Sequence, residues 1–154
     1  MKIKALLLST FCTIFLAGNQ AHSETVTEGK EGFAVCNACH NPSLNPPLAP
    51  PMWGVQRRYK MMANDKDHFI GMVTQFAKAP TIEKAIFKNA VNKMGLMPEV
   101  QLTEDNLRKV AAYIWEEKFP PPCKHWEIGA QAAEKAGDTE HANKDRIMLE
   151  RFCR

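Results

Sequence analysis

The chain has 154 residues, of which 45% are apolar and 24% charged, a length and balance that suit one modest globular domain. Its formal net charge is +3, and no basic patch interleaved with aromatics stands out, which argues against a nucleic-acid partner. Eight glycines and ten prolines do not make a disordered chain, although five of the prolines crowd into residues 42 to 51.

The first element reads as a secretory signal. Lys2 and Lys4 precede a mostly apolar run from Ala5 to Ala17, and Ala21-His22-Ser23 places small residues before a cut at Glu24. The run is shorter than the roughly 20 residues a bilayer span needs, so no integral membrane span is expected in the mature chain. Cleavage removes two of the 20 basic residues and none of the 17 acidic ones, leaving a formal charge of +1. It also removes Cys12, so Cys36, Cys39, Cys123 and Cys153 enter an oxidising compartment, expected to be the periplasm. Four cysteines can pair in three ways.

Residues 24–40 are expected to form a short helix with Thr27 as N-cap and Phe33 and Val35 as its bulky apolar residues. The stretch "NPSLNPPLAPPMWG", residues 41–54, lacks too many amide donors for a helix and reads as an ordered loop. From Asp65 to Lys78, Phe69, Met72, Val73 and Phe76 recur at the helical period. Pro80 ends that element. Thr81 then opens an expected helix with Ile82, Ala85, Ile86 and Ala90 on one face, stopped by Gly95. The clearest helix spans Glu104 to Glu117 behind a Thr103 cap, with Leu107, Val110, Ala111, Ile114 and Trp115 as its stripe. No β-like alternation appears, so the fold is expected to be all-α.

The chemistry concentrates in Cys36-Asn37-Ala38-Cys39-His40. A thioredoxin-like dithiol would want a strand before the first cysteine, yet the approach is helical. A zinc site would need Cys123 and Cys153 as further ligands, far away in sequence and far from each other. Covalent haem attachment needs no other cysteine. Two thiols at this spacing span the two vinyl groups of one porphyrin, and the adjacent histidine then reaches the iron. Of the three, haem c fits the export signal and the helical context best.

A second axial ligand is expected at Met97, because "LMP" presents a soft thioether from backbone that Pro98 biases away from helix. Met94, His68 and His125 are the alternatives.

These residues resemble the class I c-type cytochromes. The likeness runs from about Thr27 to Lys118, through the CxxCH, "PPMWG" at 50–54, "LMP" at 96–98 and "LRKVAAYIW" in the last helix. It implies a cytochrome c-like fold of four or five short helices around one covalently bound haem, with Cys36 and Cys39 as thioether cysteines and His40 and Met97 as axial ligands. It implies that the Pro50 carbonyl accepts from the His40 ring, and that Gly29, Phe33 and Tyr113 let the first and last helices cross closely. Trp53 is expected to line the haem crevice and Arg57 to pair with a propionate.

Residues 24–119 thus form the expected cytochrome domain after a 1–23 signal peptide, and 120–154 a C-terminal extension. With haem on Cys36 and Cys39, only Cys123 and Cys153 remain to pair. Helical stretches at Lys124–Ala136 and Glu140–Phe152 around "GDT" would form a hairpin that such a disulfide closes, either a structural clamp or a docking surface carrying an exposed Trp126. The function expected is one-electron transfer between redox partner proteins by a carrier with no enzymatic turnover of its own. The alternatives are a haem subunit that docks on a larger oxidoreductase and a haem protein with an open sixth site.

Overall fold

The computed structural model describes residues 17–154; most of the expected signal segment therefore lies outside the described residues. Among them are seven α-helices and no strand: α1 (Ala17–His40), α2 (Met52–Met62), α3 (Lys66–Lys78), α4 (Lys88–Met94), α5 (Glu104–Glu116), α6 (Cys123–Lys135) and α7 (Thr139–Phe152). The chain is all-α, and none of the described helices is long and apolar enough to cross a membrane.

Helix α5 is the organising element, and its ends follow from local chemistry. Thr103 accepts from the Asn106 amide, and Glu104 and Asp105 sit in the first turn, where the helix dipole favours acids. Leu107, Val110, Ala111 and Ile114 are almost fully buried, as the 3.6-residue period requires. At the far end Gln56 of α2 donates from Nε2 to the carbonyls of Ile114 (2.5 Å) and Glu117 (2.6 Å). That buried amide satisfies carbonyls a helix terminus leaves open.

Helices α1 and α3 both pack on α5. The crossing with α1 is close because Gly29 and Gly32 carry no Cβ: one at Gly29 would overlap the Lys109 carbonyl, and one at Gly32 would stand 2.7 Å from Val110 Cγ2. Phe33 follows one turn later and meets the Tyr113 ring at 5.3 Å. Lys109 pairs with Glu28 of α1 and Asp105 of its own helix, at 2.7 and 2.8 Å.

Three helix starts differ from the sequence reading, and one is that of α2, which opens at Met52 inside the stretch 41–54 expected as a loop, directly after Pro51. Thr27 is not an N-cap, since α1 already runs from Ala17. After Pro80 the chain makes a single turn, with the Lys84 amide donating to Thr81 Oγ1, and then leaves the helical path until Lys88. The Lys88 ammonium folds back onto the Ile82 and Glu83 carbonyls, which the interrupted turn leaves without amide partners. Ile82 is consequently exposed while Ala85 is buried. Gly95 does end α4, at φ +84°.

Helices α6 and α7 pack on each other as an antiparallel hairpin, turning at Gly137 with φ +75°. Cys123 and Cys153 are disulfide-bonded across its open end, 5.8 Å between Cα atoms. Closing a loop with a separation of 30 residues contributes roughly 3–4 kcal/mol by restricting the unfolded chain.

Candidate functional site

The last turns of α1 carry Cys36, Cys39 and His40 to the edge of the helical core. Beyond them the proline-rich loop turns back, so that His40 Nδ1 lies 2.6 Å from the Pro50 carbonyl oxygen. A carbonyl can only accept, so Nδ1 carries the proton and Nε2 keeps a free lone pair. Burial holds the His40 pKa below its ordinary value, and the bond to Pro50 opposes that shift. The ring is therefore preset as a neutral ligand with one fixed tautomer.

Cys36, Cys39, His40, Pro50 and Met97 all line one cavity of about 430 Å³. Its volume falls in the roughly 300–1,000 Å³ range of cofactor sites. The wall is almost wholly apolar: Val73 and Phe76 from α3, Ile86 and Phe87 from the linker before α4, Leu96 and Val100 beside Met97, and Tyr59 and Ile114 at the back. Met97 reaches it from the segment after Gly95, and that segment is pinned where the Val100 amide donates to Ala77 at the end of α3, 2.9 Å. Leu48, Met94 and Leu96 are exposed apolar residues on the cavity lining.

The two thiols are free, Cys36 partly buried and Cys39 exposed. Burial pushes the Cys36 thiol up to about 11, with the neighbouring Cys39 adding to the rise. At neutral pH it stays protonated, the reverse of the low-pKa thiolate a redox dithiol uses. Cys123 and Cys153 bind each other and are thereby removed as zinc ligands. Among the described residues no three His, Cys, Asp or Glu side chains cluster as a metal site.

Of the alternative ligands, Met94 borders this cavity but also a second cleft, on which His125 lies. His68 sits on exposed α3 surface, its Nδ1 accepting from the Asn64 amide at 3.3 Å.

Three residues with expected roles stand away from the cavity. Trp53 does not line the cavity; its ring meets Trp126 at 5.3 Å and Phe152 at 5.0 Å, at the junction with the hairpin. Arg57 points the same way, its guanidinium 4.7 Å above Trp53 and 5.2 Å from Phe152, so it stacks on aromatics at the hairpin. Trp126 is 7% exposed and so is not a docking residue. One cause covers all three: the extension offers an apolar edge, and the start of α2 is covered by it.

Sequence reasoning took Val73, Phe76, Ala85 and Ile86 only as helix-face residues, whereas they form cavity wall. Periodicity marks an apolar face without saying whether protein or ligand covers it. No protein-family model, curated protein or solved structure matches this chain.

Proposed function

We propose that the chain is a monohaem c-type cytochrome that carries one electron in the periplasm. The observation that carries this reading is the convergence of two free thiols, a histidine of fixed tautomer and a methionine on one apolar cavity.

The donor set suits the group. Cys36 and Cys39 would each add across a vinyl group, sulfur to one carbon and the thiol hydrogen to the other, with nothing released. His40 Nε2 and the Met97 sulfur are the atoms that would hold its iron, a nitrogen and a soft thioether. When bound, the haem supplies an iron that cycles between the ferrous and ferric states. The chain's own contribution is threefold. The bond to Pro50 orients the His40 ring and raises its basicity. The apolar wall excludes water from the centre. The exposed rim of Leu48, Met94 and Leu96 is where a redox partner would approach.

Two protein ligands leave no position for substrate, which supports a carrier over an enzyme or an open sixth site. Burial of Trp126 removes the feature that had favoured the extension as a docking surface.

The test is expression through the export route together with a cytochrome c maturation system. A mass one haem above the processed polypeptide, a Soret band, and a pyridine haemochrome of the two-thioether type are expected. The oxidised protein should add a near-infrared methionine-to-iron band that Met97→Ala abolishes. A polypeptide of unmodified mass with no Soret absorbance overturns the proposal.

A further inference from the structure

The hairpin grips the rest of the chain at a particular residue. Trp53 presents its ring to Trp126 at 83° and to Phe152 at 69°, both edge-on contacts. Arg57, one turn further along α2, lies over the Trp53 and Phe152 rings. Both gripping side chains sit beside the crosslink: Phe152 adjoins Cys153, and Trp126 is one helical turn beyond Cys123. The disulfide therefore fixes the spacing of the two rings that hold Trp53.

On its other side Trp53 is joined to the His40 acceptor by a short, stiff path. Only Pro51 and Met52 separate it from Pro50. The Pro51 ring fixes φ, at −54°, and its carbonyl accepts from the Gly54 and Val55 amides at 2.9 and 3.2 Å. Met52 is buried in the core at 5% exposure. The first turn of α2 and the Pro50 carbonyl thus move as one piece. Beside this bridge a cleft of about 520 Å³ separates Pro47, Ala49 and Pro50 from His125 and His141 of the hairpin. The loop is thus steadied at its α2 end, by Met52 in the core on one side and by Trp53 against the hairpin on the other.

We propose that the disulfide-closed hairpin is a positioning element for His40: by clamping Trp53 it holds the Pro50 carbonyl on Nδ1. Trp126 and Phe152 are the positioning residues, acting through Trp53 and Pro50 on a ring they do not touch. The proposal rests on the haem reading for its redox consequence, but not for its geometry. If the clamp loosens, Nδ1 donates less firmly, Nε2 becomes a weaker donor, and the ferrous state gains relative to the ferric.

The experiment uses the full-length haem-loaded protein as wild type, Trp126→Ala, Trp126→Phe, Arg57→Gln and the double variant Cys123→Ser/Cys153→Ser. Three quantities are read: covalent haem by mass, solvent exchange of the His40 Nδ1 proton by NMR of the reduced protein, and the midpoint potential. Trp126→Ala is expected to speed Nδ1 exchange about tenfold. It should also shift the redox equilibrium about threefold toward the reduced form, ~28 mV at 59 mV per decade for one electron. Trp126→Phe, which keeps a ring, should restore most of both, and the double cysteine variant should fall between. Arg57→Gln, a surface change, should move both in the same direction by less. A folded Trp126→Ala protein with wild-type exchange and potential overturns the proposal. If that variant does not fold, unchanged values in both Arg57→Gln and the double cysteine variant overturn it equally. Absence of haem mass refutes the haem reading instead, and Nδ1 exchange in the unloaded chain then decides the clamp alone.

Discussion

The α1–α5 crossing gives the sharpest test of the packing argument, because two glycines in helices should respond oppositely to the same substitution. A Cβ on Gly29 would overlap the Lys109 carbonyl oxygen and stand 2.9 Å from Tyr113 Cβ. The obstacle is the backbone of α5, which cannot rotate away as a flexible side chain would. Overpacking costs about 1–3 kcal/mol, and a collision with backbone belongs at the upper end. Replacing glycine by alanine in a helix returns about 1 kcal/mol. The net for Gly29→Ala is a loss of about 2 kcal/mol. Gly71 lies inside α3, and a Cβ there meets nothing within 4 Å. Only the propensity gain remains, so Gly71→Ala should stabilise by about 0.5–1 kcal/mol.

For a chain of this size each kcal/mol moves the melting temperature by about 2–4 °C. Gly29→Ala should therefore melt about 4–8 °C below wild type and Gly71→Ala about 1–4 °C above it, followed by helical circular dichroism on purified protein. Because α1 also carries Cys36, Cys39 and His40, the Gly29 variant of a protein loaded with the proposed haem should lose its methionine-to-iron band at lower denaturant, while the haem would stay on its thioethers. A Gly29→Ala protein as stable as wild type, or both variants shifting in one direction, refutes the close crossing as the determinant of how α1 is seated.

Gln56→Leu leaves the Ile114 and Glu117 carbonyls without their amide donor and should lower the unfolding free energy by about 1–3 kcal/mol, read as a fall in the urea midpoint at unchanged slope. Thr74→Val should be neutral or stabilise by about 1 kcal/mol in the same assay, because Thr74 Oγ1 is buried without a hydrogen-bond partner; a clear loss would show that the hydroxyl is used. Burial raises the Asp145 carboxyl above its ordinary value, with His141, His125 and Lys144 opposing the shift. The folded state then holds this proton more tightly than the unfolded one. Stability should accordingly fall as pH rises from the ordinary carboxylate value through the raised one, and stay lower above it. Asp145→Asn should flatten that part of a denaturation-versus-pH curve, and an unaltered curve would show the carboxyl is not strained.

What the sequence made legible was whatever local chemistry decides. The Thr103 cap, the left-handed stop at Gly95 and the α5 stripe need only neighbours along the chain, and each stands in the structure as expected. The disulfide was reached by a different route, through the fate of the other two cysteines, and the bonded pair is the one expected. The helix expected from Thr81 failed because its apolar spacing is satisfied twice over. Ala85 is buried and Ile86 lines the cavity, while Ile82 is left exposed, so no single helix face connects the set. Trp53, Arg57 and Trp126 stand away from the cavity for a related reason. Each has an amphipathic or cationic side chain that suits an aromatic junction as well as a cavity rim or an exposed surface, and only the position of the hairpin separates these.

The cavity is held from three directions that share no side chain. The glycine-lined crossing seats α1 and with it Cys36, Cys39 and His40. The Val100 amide on Ala77 fixes the segment that presents Met97. Trp53, clamped by Trp126 and Phe152, steadies the proline loop that accepts from His40. Because the tethers are distant and independent, their losses should add. They should also be distinguishable at the site. Weakening the first affects how all three α1 groups are seated, weakening the second reaches the methionine side alone, and weakening the third alters the histidine bond while leaving the thiols in place. A site built this way has the placement of His40 and Met97 set by helix packing and loop tethers remote from them, so changes far from the cavity can move one without displacing the other.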